Sequence, residues 1–249
     1  MHKGNAYLVT GANGHLGRAL VGEIANQGDV SLVLATRSKE ISPVVSFPDR
    51  VRMLHVGGLD LSHERDAAEL ADRVAGFLPH RFDVLNSVGA FPGYRTVLEL
   101  SGEEALEVYK SNYLTVYNVA RAIMPLLKER GGGNFVAFTS HSRYQAYPLM
   151  AAFESAKAAL EQLVRHLAHE EAINGITVNA FALSTLATTE EFRLKPHGDH
   201  EHWPLPEEVA REVLRTLSLP GGLLNGNIIH LYKYSRTYFH SSYFERIEP

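Results

Sequence analysis

The sequence predicts an α/β fold, a doubly wound parallel sheet of about seven strands, in a single domain covering residues 1–249. Three observations predict it. Short apolar runs rich in β-branched residues alternate with longer segments that repeat apolar residues every three or four positions. The alternation spans almost the whole chain, which calls for parallel strands joined by right-handed crossovers. The first strand also runs into a glycine-rich turn before its helix.

Taken in order, the first strand covers 6–10 and leads into Gly11-Ala12-Asn13-Gly14-His15-Leu16-Gly17, which opens a helix over 15–27. Gly11 suits a tight turn, Gly14 a close approach by a ligand, and Gly17 the packing of helix on strand. Backbone N–H groups across Asn13, His15 and Leu16 would then face a pyrophosphate at the positive end of the helix. The second strand, 31–35, ends in Thr36-Arg37-Ser38. NAD sites usually place an acid there for the ribose 2′-hydroxyl. None is present, and a guanidinium beside a hydroxyl suits a 2′-phosphate, so NADP(H) is favoured over NAD(H). A solvated surface arginine is the alternative. Further strands follow at 51–56, 84–86, 134–139, 177–181 and 227–231, with helices over 62–77, 102–128, 151–173 and 206–217. Two regions break the rhythm: a polar stretch, 184–205, and an aromatic tail, 232–249.

Composition narrows the function. Hydrophobic residues make up 45% and charged residues 21%, ordinary values for a globular domain with a sizeable core. The net charge is -4 and no basic run appears, which argues against a nucleic-acid partner. With no cysteine, disulfides, thiolate metal sites and cysteine nucleophiles are excluded. No apolar stretch approaches the ~18 residues that span a bilayer, and no signal peptide is recognisable, so no membrane partner and a cytoplasmic location are expected. His197-Gly198-Asp199-His200-Glu201-His202 contains zinc-ligand types, but a polar lid is the better reading, and no metal is expected.

The glycine turn resembles the Thr-Gly-x-x-Gly-x-x-Gly form found in the short-chain dehydrogenase/reductase family, and four further stretches match that family in order. Asn86-Ser87-Val88-Gly89 is similar to its Asn-Asn-Ala-Gly strand end, Asn112 to its helix asparagine, and Ser140 to its catalytic serine. Ala151-Ala152-Phe153-Glu154-Ser155-Ala156-Lys157 resembles its Tyr-x-x-x-Lys helix, with phenylalanine in the tyrosine position. The resemblance covers about residues 5–231. It implies a single-domain Rossmann-type fold and a cofactor contacted by Gly11, Asn13, Gly14, His15, Leu16, Gly17, Arg37, Ser38, Asp60, Leu61, Asn86, Gly89, Lys157 and Thr188. It also implies that 184–205 covers a substrate site, and that homo- or hetero-oligomers, dimers or tetramers, form through the helices near 102–128 and 151–173 and through the last strand. Val178-Asn179-Ala180-Phe181-Ala182-Leu183-Ser184 departs from the family, because Leu183-Ser184 replaces Pro-Gly.

Phe153 sets the functional question. In the family the tyrosine phenol exchanges the proton while nicotinamide exchanges the hydride, and lysine lowers the phenol pKa. Phenylalanine has no proton to exchange. Ser140 would still hold the substrate oxygen, and Asn112 and Lys157 would still support relay and cofactor. Tyr144 and Tyr147, on the loop before the active-site helix, are the candidate replacement donors, with His141 as a further titratable group; pocket wall or subunit interface is the preferred alternative for both tyrosines. The expected function is therefore an NADP(H)-linked oxidoreductase of a carbonyl or secondary alcohol with weakened proton transfer. The alternatives are an inactive subunit supporting an active partner in a hetero-oligomer, or a non-redox isomerase or cyclase reusing the pocket.

Overall fold

The computed structural model describes residues 5–41, 47–78, 80–219 and 222–233. Its strands are β1 (Asn5–Thr10), β2 (Val30–Thr36), β3 (Val51–Gly57), β4 (Asp83–Asn86), β5 (Gly133–Ser140), β6 (Ile176–Leu183) and β7 (Ile228–Leu231). They form one sheet in the order β3-β2-β1-β4-β5-β6-β7. Every pairing is parallel. The chain leaves β1 toward β2 and β3, then returns to the other side of β1 as β4. That reversal opens a crevice beyond the carboxyl ends of β1 and β4, where folds of this kind bind ligands. All seven predicted strands are present, most of them longer than predicted by a residue or two.

The sheet is buried on both faces because its strands are apolar at consecutive positions, as parallel strands covered by helices must be. Leu8, Val33, Val84, Phe135 and Val178 meet Leu70, Val119, Ile123 and Leu160 on one face. These belong to α2 (Glu64–Phe77), α4 (Thr115–Glu129) and α5 (Ala151–Glu171). Val9, Leu34, Leu85, Val136 and Phe181 meet Leu20, Ile24, Val209 and Val213 on the other face, from α1 (His15–Ala25) and α7 (Pro206–Leu217). Each such side chain, fully buried, contributes about 1.5–3 kcal/mol. The core thereby holds the strand ends that carry the site.

The helix predicted over 102–128 is not continuous. It divides into α3 (Gly102–Tyr109), a π-helical turn (Lys110–Leu114) and α4. A π turn inserts one extra residue and rotates the helix beyond it, and such turns recur at functional sites. Here it carries Asn112. The helix predicted over 151–173 ends as α5 at Glu171, with a 3₁₀ turn closed by Gly175 at φ 70. The 184–205 stretch contains a short helix, α6 (Thr189–Leu194), and a 3₁₀ turn at His200–His202. The aromatic tail from 234 onward lies outside the described residues. Among those described, no helix is long and apolar enough to cross a membrane.

Candidate active site

Two cavities of about 300 and 660 Å3 share the walls Ser87, Val88, Gly89 and Ala90 at the end of β4. The smaller is lined by Gly11, Asn13, Gly14, Arg37, Ser38, Asp60 and Leu61, which the sequence had grouped. At its base, α1 begins after Gly14 with no side-chain cap and no acid in its first turn. Its N–H groups are thus left for a ligand, at the positive end of the helix dipole. Gly17 cannot be replaced: a Cβ there would run into the Gly11 carbonyl and Ala12 Cα. Gly17 therefore shapes the turn from inside the helix, and the Leu16 side chain packs against the core. Asn13 ties the turn to the next loop through Nδ2 to the Glu40 carbonyl, 2.9 Å. Asp60 accepts from Ser62 N–H at 3.0 Å and Ser62 Oγ at 2.7 Å. Partial burial opposes its charge, but these bonds, with His63 and Arg37 nearby, hold its carboxyl below the ordinary range.

The larger cavity brings together Asn112, Ser140, Phe153 and Lys157, which the family resemblance assigns to the reacting end. Asn86 lines neither cavity; it accepts from Thr10 Oγ1 at 2.5 Å, and Ser87 Oγ donates to the Thr10 carbonyl at 2.7 Å, which locks β1 to β4. Lys157, from α5, lines the wall at 6% exposure and donates to the Phe138 carbonyl at 2.9 Å. Burial pushes its pKa down to about 8. Asn112 is fully buried and donates through Nδ2 to the carbonyls of Ala90 at 2.8 Å and Val108 at 3.0 Å. Its Oδ1 has no protein partner. A Cβ on Gly89 would lie 2.9 Å from that oxygen and 3.2 Å from Lys157 Nζ, so only glycine lets the amide and the ammonium converge. Ser140 lines the cavity at the end of β5, with Oγ 2.7 Å from Ser142 Oγ.

Phe153 occupies the wall as an apolar group. Its ring meets Phe91 edge-on at 5.3 Å, and Lys157 Nζ lies 5.5 Å from its centre. The two candidate tyrosines separate. Tyr144 is not among the residues lining the cavity; its hydroxyl donates to Glu161 Oε2 at 2.7 Å. Glu161 is itself fully buried, pairs with Arg143, and accepts from Thr139 Oγ1 at 3.0 Å. Placing Tyr144 as a donor is therefore corrected: it is a strut tying the turn after β5 to α5. Tyr147 does line the cavity and donates to Gln145 Oε1 at 3.1 Å. Burial raises its pKa, and Glu154 adds to that rise. The loop that holds it is backed by strain, since Ala146 and Leu149 lie at φ 48 and φ 69.

Sequence reasoning placed 184–205 over the substrate site but did not single out Trp203 or Lys195 within it, nor Tyr94. Tyr94 and Trp203 both line the cavity, and Trp203 is buried against Phe192, with ring centres 5.5 Å apart. Lys195 reaches inward from the end of α6, donating to Thr185 Oγ1 at 2.7 Å and pairing with Glu191 at 3.1 Å. Burial opposes its charge, but Tyr94 and Glu191 more than compensate, so its pKa is raised. Thr188 accepts from Glu191 N–H at 3.2 Å, capping α6, and lines the same cavity. His15 lies 4.0 Å from Glu190, across from the glycine turn. Glu161 also went unnoticed, although a charge four residues after Lys157 on an apolar helix was a legible signal.

Comparison with known proteins agrees with this geometry. The family model described as short chain dehydrogenase matches residues 5–196. A tropinone reductase homolog of Arabidopsis thaliana is 29% identical over 188 residues, 75% of this chain and 70% of its own length. The fold resembles that of ElxO with NADP bound, at a TM-score of 0.80 and 18% identity, covering 91% of this chain and 96% of that one. A Tyr-to-Phe variant of ElxO with NADPH bound matches equally well.

Proposed function

Because the chain belongs to the short-chain dehydrogenase family, we propose that it is an NADP(H)-linked oxidoreductase of a carbonyl or secondary alcohol, with proton transfer weakened by Phe153. One observation carries this reading: the two cavities join at Gly89, so a phosphate-binding helix end and the Asn112–Lys157 pair lie along one groove. The donor set fits the cofactor. The α1 N–H groups suit the pyrophosphate, Arg37 and Ser38 suit a 2′-phosphate, and the unpartnered Asn112 Oδ1 awaits a hydrogen-bond donor. When bound, the reduced nicotinamide would supply a hydride. Lys157 would hold the ribose, Ser140 would hold the substrate oxygen, and Phe91, Phe153 and Trp203 would exclude water from the reacting carbon.

A fold neighbour bearing a Tyr-to-Phe change nonetheless binds NADPH, which supports retained binding in a chain that has phenylalanine at its own position 153. The same phenylalanine favours a second reading, a subunit that binds cofactor while a catalytic partner turns over. A stacked ladder of Tyr109, Tyr113 and Tyr117 along α3 and α4 gives such a partner, or a second copy, a surface to meet.

Titration with NADPH and NADH, followed by ligand fluorescence and thermal shift, tests the reading. NADPH should bind about tenfold more tightly, the effect expected of one charge-assisted phosphate contact. Failure to bind either nucleotide would overturn it.

A further inference from the structure

The geometry points to Tyr94 as the proton donor for carbonyl reduction in this protein, with Lys195 as the cation that holds its phenol. The inference rests on the oxidoreductase reading above and names the group that this reading lacks. Phe153, Phe91 and Tyr94 form one continuous aromatic wall of the larger cavity: Phe91 meets Phe153 at 5.3 Å and Tyr94 at 4.9 Å, both edge-on. Tyr94 is therefore the phenol that extends the wall on which the family's tyrosine would stand.

Its partner comes from the opposite side. Lys195 Nζ lies over the Tyr94 ring, 5.6 Å from its centre, as a cation–π pair. That ammonium also donates to Thr185, which adjoins Ser184 at the end of β6. Glu191 offsets its charge at 3.1 Å, and the Trp203 ring lies 5.6 Å away, so the group is held from several directions. A phenol facing a fixed ammonium repeats the pairing that Phe153 removes beside Lys157. The other cavity phenol is less suited. The Tyr147 hydroxyl is engaged with Gln145 Oε1 at 3.1 Å, and burial and Glu154 raise its pKa more than Lys195 lowers it. Tyr144 is committed to Glu161.

The step balances. A bound reduced nicotinamide would supply the hydride to the carbonyl carbon, the C=O π pair moving to oxygen. That oxygen takes the Tyr94 proton, leaving a phenolate beside Lys195. Once the product has left, solvent reaching the phenolate returns the proton. An aromatic cavity with its donor in the wall favours aromatic carbonyls, so benzaldehyde, acetophenone and isatin are the probes.

With NADPH and these probes, Tyr94→Phe and Lys195→Met should each lower kcat/KM by about 10²-fold, the usual share of a general acid. NADPH affinity of Tyr94→Phe, read by fluorescence, should remain within about twofold, a change of under 0.5 kcal/mol. Introducing the family's donor with Phe153→Tyr should raise turnover and reduce the loss caused by Tyr94→Phe to a few-fold. In cofactor-free protein carrying 13Cζ-tyrosine, the Tyr94 resonance, assigned by its loss in Tyr94→Phe, should move when Lys195 becomes methionine. The inference is overturned by full turnover in Tyr94→Phe, by a Tyr94 resonance indifferent to Lys195, or by turnover that appears only with Phe153→Tyr. Absence of turnover in both backgrounds would overturn it together with the oxidoreductase reading.

Discussion

The two ends of the groove are built from different materials. The nucleotide end is made of backbone: a turn whose shape depends on Gly11 and Gly17, N–H groups of α1, and the strand ends of β1 and β2. The reacting end is made of side chains standing in a cavity wall. A changed backbone turn disturbs the sheet beneath it, whereas a changed wall residue disturbs only its neighbours. Phe153 illustrates the second case, because its ring is accommodated by Phe91 and Lys157 stays in place. Chemistry can thus change at one end while binding geometry persists at the other.

The contrast is broken most severely at Gly17. Gly17→Val would force a side chain into the Gly11 carbonyl, so NADPH binding should vanish and the thermal midpoint should fall. Unchanged binding by fluorescence would show that the turn is not rigid.

At the reacting end, Glu161→Ala leaves Arg143, Tyr144 and Thr139 without their buried partner. The expected loss is roughly 3–5 kcal/mol in urea unfolding. A loss near zero would mean that the strut carries no strain.

Lys157 sharpens the comparison through pH. Burial lowers its pKa from 10.5 to about 8, so between those values the unfolded chain binds the extra proton. Stability should therefore rise as pH goes from 8 to 10.5, by at most roughly 3 kcal/mol at ~1.4 kcal/mol per pKa unit. The contribution is absent below pH 8, where both states hold the proton. Lys157→Met should flatten that rise in denaturation curves taken across the window. A slope identical in wild type and variant would exclude a buried ammonium.

The smallest effect is expected at Arg37. Arg37→Ala should weaken NADPH binding about tenfold and leave NADH binding nearly unaltered. Equal losses for both nucleotides would place Arg37 away from the 2′ position.

The fold was legible because periodicity and β-branched runs report directly on which residues a parallel sheet buries. The phosphate turn was legible for a similar reason: glycine spacing is a statement about backbone space. The break at 110–114 was not, since α3, the π turn and α4 share one amphipathic pattern and differ only in a single inserted residue. Tyr94 and Lys195 were hidden because they come from two irregular segments that approach each other only in the folded chain. Tyr144 and Tyr147 looked equivalent in sequence. Glu161, seventeen residues beyond the first, decided between them.

The helix starts differ in charge, and the difference bears on how a cofactor arrives. Helices α2, α3, α5, α6 and α7 each carry an acid in the first turn, whereas α1 carries none and α4 continues from the π turn. Carboxylates of their own first turns therefore shield the other free helix starts, whereas α1 has none of its own and meets Glu190, 4.0 Å from His15. On a chain of net charge -4, the proposed dinucleotide polyanion would meet a locally attractive helix end there. Capture should then be fastest in dilute salt and slow as ions screen that helix end beyond about 8–10 Å.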